Sequence, residues 1–339
     1  MLVVALAAAG LALRAWQARG PDAVELTGRL QQAAGERLVG TAVDDGALRD
    51  APGYRSTLRR QFSSVTPENV MKWSLLEPER GRRDWQAADR LVDFARKNEQ
   101  AVRGHTLVWF NQNPPWVEGL KGDELRQAVR EHIRRTMRRY RGRVRTWDVV
   151  NEPFEDDGTR RASVFQRELG DGWVEDAFRT ARAADADARL YLNEIAAEAP
   201  GPKSDALYAL VKDLLARGVP IDGVGFQAHF SRQGVPDGFR ANLERFAALG
   251  VDVAITESDV ALGLPADRAA LRAQARIYRR TVAACVAVPR CRSITFWGFT
   301  DRHSWIPATQ PGRGAATLLD AELRPKPAFR TVLRALRGG

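Results

Sequence analysis

The feature that most limits the fold is an alternation that runs from residue 36 to the end of the chain. Short β-branched and aromatic runs alternate there with amphipathic stretches of roughly ten to twenty residues. This pattern is typical of repeated strand–helix units around a parallel sheet. We predict eight strands, at 37–43, 62–66, 101–108, 145–151, 189–193, 223–229, 252–257 and 293–299. We predict helices near 86–98, 123–140, 173–185, 204–217, 238–249, 267–286 and 326–337.

Eight such units in a chain of 339 residues predict a single (β/α)₈ TIM barrel, which needs about 250 residues. No linker or change of composition marks a second domain, so we place one domain at 25–337. In this fold, functional side chains gather at the carboxyl ends of the strands. Polar and aromatic residues stand at or near most predicted strand ends, and these are Glu68, Asn69, His105, Trp109, Asn151, Glu152, Asn193, Glu194, Gln227, His229, Glu257 and Trp297.

The first twenty residues form a separate segment, of which residues 1–13 are uncharged and almost wholly apolar. This length fits the core of a signal peptide better than a membrane-spanning helix, which needs about 20 apolar residues. A basic region before it and a clear cleavage site after it are both missing, so a cleaved signal and an N-terminal anchor stay open. We expect an exported protein, whether secreted, periplasmic or membrane-anchored.

Neither the distribution of charged residues nor the number of histidines favours a nucleic-acid partner or a metal centre. Lys and Arg number 52 against 42 Asp and Glu, which gives a net charge of +10. The arginines are scattered along helical stretches, as expected of solvated helix faces, and no nucleic-acid-binding motif accompanies them. With four histidines in the chain, a multi-histidine metal site is not expected. No phosphate-binding glycine loop or Ser/His/Asp nucleophile motif occurs, so we predict no cofactor.

Two glutamates are the candidate reactive pair. Glu152 follows the fourth predicted strand in Trp-Asp-Val-Val-Asn-Glu-Pro, and Glu257 ends the seventh in Ala-Ile-Thr-Glu-Ser-Asp. We expect both carboxylates at the barrel mouth, because the middle of a buried strand disfavours a charge. Strands four and seven face each other across an eight-stranded barrel. Two carboxylates in one cleft are what glycoside hydrolysis requires, one protonated to assist the leaving oxygen and one ionised to attack or stabilise the sugar carbon.

The residues around this pair suit a sugar ligand. Aromatic rings offer flat faces to the C–H groups of a pyranose, and amide and charged groups can bind its hydroxyls. Such residues lie at or beyond the predicted strand ends, namely Trp109, Trp297, Trp305, Lys72, Gln112, Asn151 and Gln227.

These motifs together resemble glycoside hydrolase family 10, the xylanase family, over about residues 36 to 337. The resemblance lies in ordered segments that are Glu68-Asn69-Val70-Met71-Lys72-Trp73, Gly104 to Trp109 with Gln112, Trp147 to Pro153, Gln227-Ala228-His229, Thr256 to Asp259, and Thr295 to Asp301 with Ser304-Trp305. It implies a retaining endo-1,4-β-xylanase with xylan or xylo-oligosaccharides as its substrates. We expect a monomer.

The resemblance also implies a role for each matching residue. Glu152 would be the general acid/base and Glu257 the nucleophile, with His229 and Asp259 orienting it. Asn151 would bind the 2-hydroxyl of the sugar in subsite −1. The implied remaining contacts are His105, Trp109, Gln227 and Trp297 in subsite −1, Glu68, Asn69, Lys72 and Gln112 in subsite −2, and Trp305 capping the glycone side.

Cys285 and Cys291 are six residues apart, and their spacing alone leaves a short disulfide loop and two reduced thiols both open. The resemblance implies a disulfide there, as in many members.

Three departures from the family pattern bear on substrate preference. The segment after the fifth strand reads Asn193-Glu194-Ile195-Ala196 where the family usually has Asn-Asp-Tyr-Asn. Phe110 replaces a common His, and Ile306-Pro307-Ala308 replaces a polar turn. Two alternatives therefore remain, a member tuned to another β-glycoside (an aryl glycoside or mixed-linkage glucan) and a non-catalytic glycan-binding protein.

Overall fold

Eight parallel strands form the centre of the molecule. The computed structural model describes residues 28–338, so the expected N-terminal segment lies outside the described residues. The strands are β1 Leu38–Val43, β2 Ser64–Pro67, β3 Ala101–Gly104, β4 Thr146–Asn151, β5 Arg189–Glu194, β6 Gly223–Phe226, β7 Asp252–Val260 and β8 Cys291–Phe296. Each pairs in parallel with the next, and β8 pairs with both β7 and β1, so the ring closes. The predicted (β/α)₈ barrel is confirmed.

Eight helices alternate with these strands. They are α1 Tyr54–Gln61, α2 Gln86–Lys97, α3 Gly122–Tyr140, α4 Trp173–Ala184, α5 Pro202–Ala216, α6 Phe239–Ala247, α7 Arg268–Val286 and α8 Pro327–Leu336. Helix α1 was not predicted, because its two large apolar residues, Tyr54 and Leu58, make too short a pattern among arginines. Within residues 28–338, no helix combines the length and apolarity that crossing a bilayer requires.

Two strands end earlier than predicted, which changes the backbone that carries the site. Strand β3 stops at Gly104, and the separate pair Val108–Trp109 hydrogen-bonds to the end of β4. Strand β6 stops at Phe226, and His229–Phe230 pairs with the end of β7. His105 and Gln227 therefore lie on turns at the barrel mouth.

Two buried charges contradict the expectation that strand interiors exclude them. Asp148 lies in the middle of β4, and Glu257 is followed by three further residues of β7. Asp148 is accommodated because it forms a buried ion pair with Arg103 on the neighbouring β3. Glu257 is accommodated by hydrogen bonds with Asn193 and His229. A charge is tolerated in these strands where a neighbouring strand or turn supplies its partner.

Glycines inside the barrel leave room for large or polar neighbours. A Cβ on Gly104 would overlap the indole of Trp147, and one on Gly225 would overlap the amide oxygen of Asn193. Without a side chain at residue 225, the Asn193 side chain can occupy the barrel interior, from which it reaches the site.

The two cysteines form the disulfide that the family resemblance implied. Cys285 on α7 and Cys291 at the start of β8 are bonded, with their Cα atoms 5.3 Å apart. Both are fully buried. The bond joins the seventh helix covalently to the last strand.

Candidate active site

Glu152 follows β4 directly, on the loop at the barrel mouth. Its φ is 55°, a left-handed backbone conformation that costs energy for a residue other than glycine. Its amide donates to the carbonyl of Asn193 at 2.9 Å. Its Oε1 accepts from Gln227 Nε2 at 2.9 Å and from Asn151 Nδ2 at 3.2 Å. The side chain is 8% exposed, so the carboxyl is fixed in position yet open to the cleft.

Glu257 lies across the mouth on β7 and is surrounded by donors. Its Oε1 accepts from Asn193 Nδ2 at 2.7 Å, and its Oε2 lies 3.3 Å from His229 Nε2. His105 Nδ1 is 4.0 Å from Oε1. These partners favour the ionised carboxylate over the acid.

The groups around Glu257 determine that its carboxyl is ionised. Burial by itself raises the pKa of Glu257, but the nearby His105 and the hydrogen bond from His229 outweigh it, and the pKa is lowered overall. Burial likewise opposes the charged form of His229, whereas Asp259 and Glu257 raise the pKa of His229 well above its usual value. Glu257 is therefore an anion held against an imidazolium at neutral pH.

His229 is also held by Asp259, an acidic residue in addition to Glu257. Its Nδ1 lies 3.0 Å from Asp259 Oδ1, an ion pair rather than an aligned hydrogen bond. Asp259 Oδ2 accepts from Trp305 Nε1 at 2.7 Å. The series Trp305, Asp259, His229 and Glu257 thus runs from the surface loop after β8 to the carboxylate, which fixes the imidazole ring.

A second histidine is held from inside the barrel. His105 Nδ1 lies 3.0 Å from Asp148 Oδ2, and Asp148 also pairs with Arg103. The ring of His105 meets that of Trp297 edge to face, with centroids 5.2 Å apart. Burial raises the pKa of Asp148, but Arg103 and His105 reverse this and lower it. An ionised Asp148 therefore orients the His105 ring beneath the cleft.

Two asparagines connect the glutamates. Asn193 Nδ2 donates both to Glu257 Oε1 and, at 2.8 Å, to Asn151 Oδ1. Asn151 Nδ2 in turn donates to Glu152 Oε1. Thr256 Oγ1 donates to Asn193 Oδ1 at 2.7 Å, which sets the orientation of that amide. The two carboxylates are therefore placed relative to one another by a continuous hydrogen-bond chain.

A polar cluster lies to one side of the pair, after β2 and β3. Lys72 Nζ donates to Asn69 Oδ1 at 3.1 Å and lies 4.8 Å from the centre of the Trp109 ring. Gln112 Nε2 reaches the same Asn69 oxygen at 3.5 Å. Burial, then Asp44, raises the pKa of Glu68 to about 7, with Lys72 opposing. Trp109 Nε1 is buried without a partner among residues 28–338.

A cavity of about 220 Å³ lies on another side, against His229 and Asp259. Ile195 lines it together with Trp305, Ile306 and Arg313, and its remaining lining residues are Phe230, Ser231, Gln233, Gly234, Ala261 and Gln310. Two of the departures from the family pattern, at Ile195 and Ile306, thus contribute to one cavity.

Glu194 supports the loop that carries Glu152. Its oxygens accept from the amides of Phe154 at 3.2 Å and Ile195 at 3.0 Å, and Lys203 Nζ lies 3.4 Å away. The side chain is fully buried. Burial raises the pKa of Glu194 to about 8, Lys203 opposes this, and Glu152 adds to it.

The structure brings the predicted site residues to the barrel mouth in three connected groups. The first, at the glutamate pair, is Asn151, Glu152, Gln227, His229, Glu257, Asp259 and Trp305. The second is His105 with Trp297, and the third is Glu68, Asn69, Lys72, Trp109 and Gln112. Among residues 28–338 no cluster of three or more His, Cys, Asp and Glu has the arrangement of a metal site.

Sequence reasoning assigned no role to four residues that build this site. Asn193 stood at a predicted strand end but was not selected, and Glu194 was noted as a departure without a function. Asp148 and Arg103 carried a signal that could have been used, because opposite charges on adjacent buried strands need each other as partners.

The comparisons with known proteins agree with this geometry. The model of the family "Glycosyl hydrolase family 10" matches residues 28–335. Endo-1,4-beta-xylanase A of Phanerodontia chrysosporium is 42% identical over 304 residues, which are 88% of this chain and 74% of that protein. Endo-1,4-beta-xylanase B of Thermotoga neapolitana is 42% identical over 289 residues, covering 84% and 83% of the two chains.

Solved structures give the same result. Native xylanase 10B from Thermotoga maritima superposes with a TM-score of 0.89 at 40% identity, covering 92% of this chain and 98% of that one. Xylanase 10B from Thermotoga petrophila, solved in complex with xylobiose, has a TM-score of 0.89 at 39% identity over the same shares of the two chains.

Proposed function

This chain belongs to glycosyl hydrolase family 10, and from that premise we propose that it is a retaining endo-1,4-β-xylanase acting on internal bonds of xylan. The observation that carries the proposal is the contrast between the two glutamates. Glu257 has a lowered pKa and a charged histidine beside it, whereas Glu152 accepts neutral amide donors at the open mouth.

In the first step, a Glu257 oxygen attacks the anomeric carbon and the bond from that carbon to the glycosidic oxygen breaks. Glu152 gives its proton to the departing oxygen, so the leaving sugar is released as an alcohol. In the second step, the ionised Glu152 takes a proton from water, the water oxygen attacks the anomeric carbon, and the bond to Glu257 breaks. Two inversions retain the configuration. The low pKa of Glu257 suits a nucleophile and a leaving group.

The other groups fit a xylose chain lying across the mouth. Subsite −1 would be built by Asn151, His105, Gln227 and Trp297 around the reacting sugar, with Trp305 over the glycone side. Subsite −2 would use Glu68, Asn69, Lys72 and Gln112, which already form one polar cluster. Trp109, which the resemblance assigns to subsite −1, lies beside that cluster, and its Nε1, buried without a partner among the described residues, would donate to a sugar hydroxyl.

The departure at Ile195 and Ala196 is proposed to weaken sugar binding on the leaving-group side, and because Ile195 lines one cavity with Trp305, that cavity would lie where the glycone and leaving-group sides meet. Ile195 offers an apolar surface, and the exposed Ala196 offers no hydrogen-bonding side chain. Two lost hydrogen bonds of roughly 0.5–1.5 kcal/mol each would weaken sugar binding there about tenfold or more. The enzyme would then cleave activated aryl xylobiosides well relative to polymeric xylan.

A second candidate is a family member tuned to another β-glycoside. The observation that favours it is that Ile195 and Ile306 both line the cavity beside His229. Initial rates on xylan, mixed-linkage glucan and aryl glycosides distinguish the two candidates. A non-catalytic glycan-binding role is disfavoured by the presence of both carboxylates with their hydrogen-bond partners.

We further propose that the protein is exported and acts as a monomer, with residues 1–20 as its signal or anchor and 25–337 as the catalytic domain. The buried Cys285–Cys291 disulfide supports an oxidising compartment.

The assignment of the two glutamates is tested by replacing each with alanine. Glu257→Ala should lower turnover of an aryl β-xylobioside below about 1% of wild type, and azide should restore turnover with inverted configuration. Glu152→Ala should slow substrates with poor leaving groups most, because they need the proton. Glu322→Ala, on an exposed loop, is the control. A Glu257→Ala variant that keeps several per cent of activity would refute the nucleophile assignment.

A further inference from the structure

Three barrel helices on one side of the molecule contain arginines but no acidic residues. Helices α1, α7 and α8 contain no Asp or Glu, whereas each of the other five barrel helices contains at least one. Helix α7 packs against α8, and α8 packs against the short helix Leu30–Ala33, which contacts α1. The acid-free helices therefore form one continuous part of the wall.

The α7–α8 part of this wall is the more basic, and we call it the arginine face. It consists of exposed residues, which are Arg268, Arg272, Arg276, Arg279, Arg280, Arg330, Arg334 and Arg337. Arg280 pairs with Asp237, and none of the other seven is within ion-pair distance of a carboxylate in the described part of the chain. Most arginines on the other helices do have such partners, for example Arg130 with Asp176 and Arg139 with Asp89.

The spacing lines these charges up. Arg268, Arg272, Arg276 and Arg279 follow at intervals of four, four and three residues, which places them along one side of α7 over roughly 16 Å. Arg330 and Arg334 on α8, with Arg337 directly after its last residue, repeat this spacing. Asp267, whose side chain caps the start of α7, is the acidic residue at the end of this row. Unpaired parallel rows of guanidinium groups make a surface suited to a flat, multivalent anion.

We propose that the arginine face binds the surface of an anionic lipid bilayer. The described part of the chain starts at Gly28, where an added Cβ would meet Leu333 on α8 and Arg337 just after it, so the described chain begins beside this face. The N-terminal segment before it contains the apolar residues 1–13, and residues 14–27 span at most roughly 50 Å. A bilayer that holds residues 1–13 lies within reach of α8, and anionic headgroups complement the arginines.

The composition of the arginine face favours a bilayer over an acidic polysaccharide as its partner. Leu75 and Leu264 are the exposed large hydrophobic residues of residues 28–338, and neither is on α7 or α8. The face therefore has no exposed aromatic ring on which a sugar could stack. Because the active site opens at the carboxyl ends of the strands, a barrel bound by its side wall leaves the cleft free for substrate.

The test uses the full chain and two kinds of vesicle, phosphatidylcholine alone and phosphatidylcholine with about 30% phosphatidylglycerol. The readout is the partition coefficient for the phosphatidylglycerol-containing vesicles divided by that for phosphatidylcholine alone, at ~0.1 M salt. Insertion of apolar residues contributes to both coefficients and therefore cancels in the ratio. Arg272→Gln/Arg276→Gln/Arg334→Gln should lower the ratio roughly a hundredfold, at about fivefold per arginine. The matched control, Arg134→Gln/Arg135→Gln/Arg138→Gln, removes the same charge from α3 on the opposite wall and should change it little.

Three results would overturn the proposal. One is a wild-type ratio close to one, and another is an equal loss in the two triple variants, which would make net charge the cause. The third is a variant that keeps its vesicle binding but loses retention on immobilised glucuronoxylan, which would identify a polysaccharide partner. Equal melting temperatures and equal turnover of a soluble aryl xylobioside would show that both triple variants are folded.

Discussion

The guanidinium of Arg161 lies 4.3 Å from the centre of the Phe110 ring. The same arginine donates through Nε to the carbonyl of Glu152 at 2.9 Å and through Nη2 to that of Phe154 at 2.8 Å. Phe110, which departs from the family pattern, is thus the surface on which the arginine that holds the acid/base loop rests. The presence of Phe110 therefore affects the position of Glu152 and not only the contacts with the sugar.

We therefore expect Phe110→Ala to lower kcat on xylan about two- to fivefold with a smaller change in KM, because the ring supports Arg161 and a stacked cation contributes roughly 0.5–1 kcal/mol. Phe110→Tyr keeps the aromatic face and is the matched control. Steady-state kinetics on xylan and an aryl xylobioside measure both. A change in KM alone would show that Phe110 contacts substrate and does not support the loop.

The pH profile should report the His229–Glu257 pair. The pKa of Glu257 is lowered partly by His229, so removing the imidazolium in His229→Asn should raise this pKa. Glu257 must be ionised to attack, and the acidic limb of kcat/KM should therefore move to higher pH. The measurement is kcat/KM of an aryl xylobioside from pH 3 to 8. An unmoved acidic limb would show that another group controls it.

Asn193 should affect catalysis as strongly as residues that touch the sugar. Asn193→Ala removes the donor to Glu257 and breaks the chain to Glu152, and we expect kcat to fall ten- to a hundredfold with the fold intact. Asn193→Asp keeps the shape but places an anion against Glu257, so its acidic limb should move to higher pH. Melting temperature and the pH profile together distinguish this from a packing defect. Wild-type kcat in Asn193→Ala would contradict the role.

The residues after β5 should control the choice between polymer and aryl substrates. Ile195→Tyr/Ala196→Asn supplies a hydroxyl and an amide beside the cavity next to His229, and the polymer-to-aryl ratio of kcat/KM should rise about tenfold. The φ of Ala196 is 56°, a region that asparagine tolerates better than alanine, so Ala196→Asn alone should raise the melting temperature by one to three degrees. An unchanged polymer-to-aryl ratio would show that Ile195 and Ala196 do not control substrate preference.

The sequence predicted the fold well where hydrophobic patterns are long and regular. Helices α3 and α7 were placed within one residue at each end, because each runs for 19 residues with a regular buried side. Helix α1 was missed because eight residues with few apolar side chains give little periodicity. Strands β3 and β6 end early because turns follow them at the barrel mouth, one of which includes Ala228 with a φ of 59°. No local sequence pattern predicts these turns.

The site was predictable as a set of strand ends but not as a network. That Glu152 and Glu257 share the mouth follows from barrel symmetry and their places in the chain. That Asn193 donates to both Glu257 and Asn151 depends on the space left by Gly225, a contact between strands that sequence spacing does not encode. The pairing of Asp148 with Arg103 and the support of Arg161 by Phe110 are likewise relations between distant segments.

The pairing of β8 with both β7 and β1 has a consequence for how this protein behaves when crowded. In an open sheet, the outermost strands present unpaired backbone groups, which recruit strands from other molecules and start aggregation. Here each of the eight strands has a neighbour on both sides, so the native barrel has no such border. Intermolecular strand pairing therefore requires that the ring first open, and conditions that aggregate the protein should be those that separate two barrel strands.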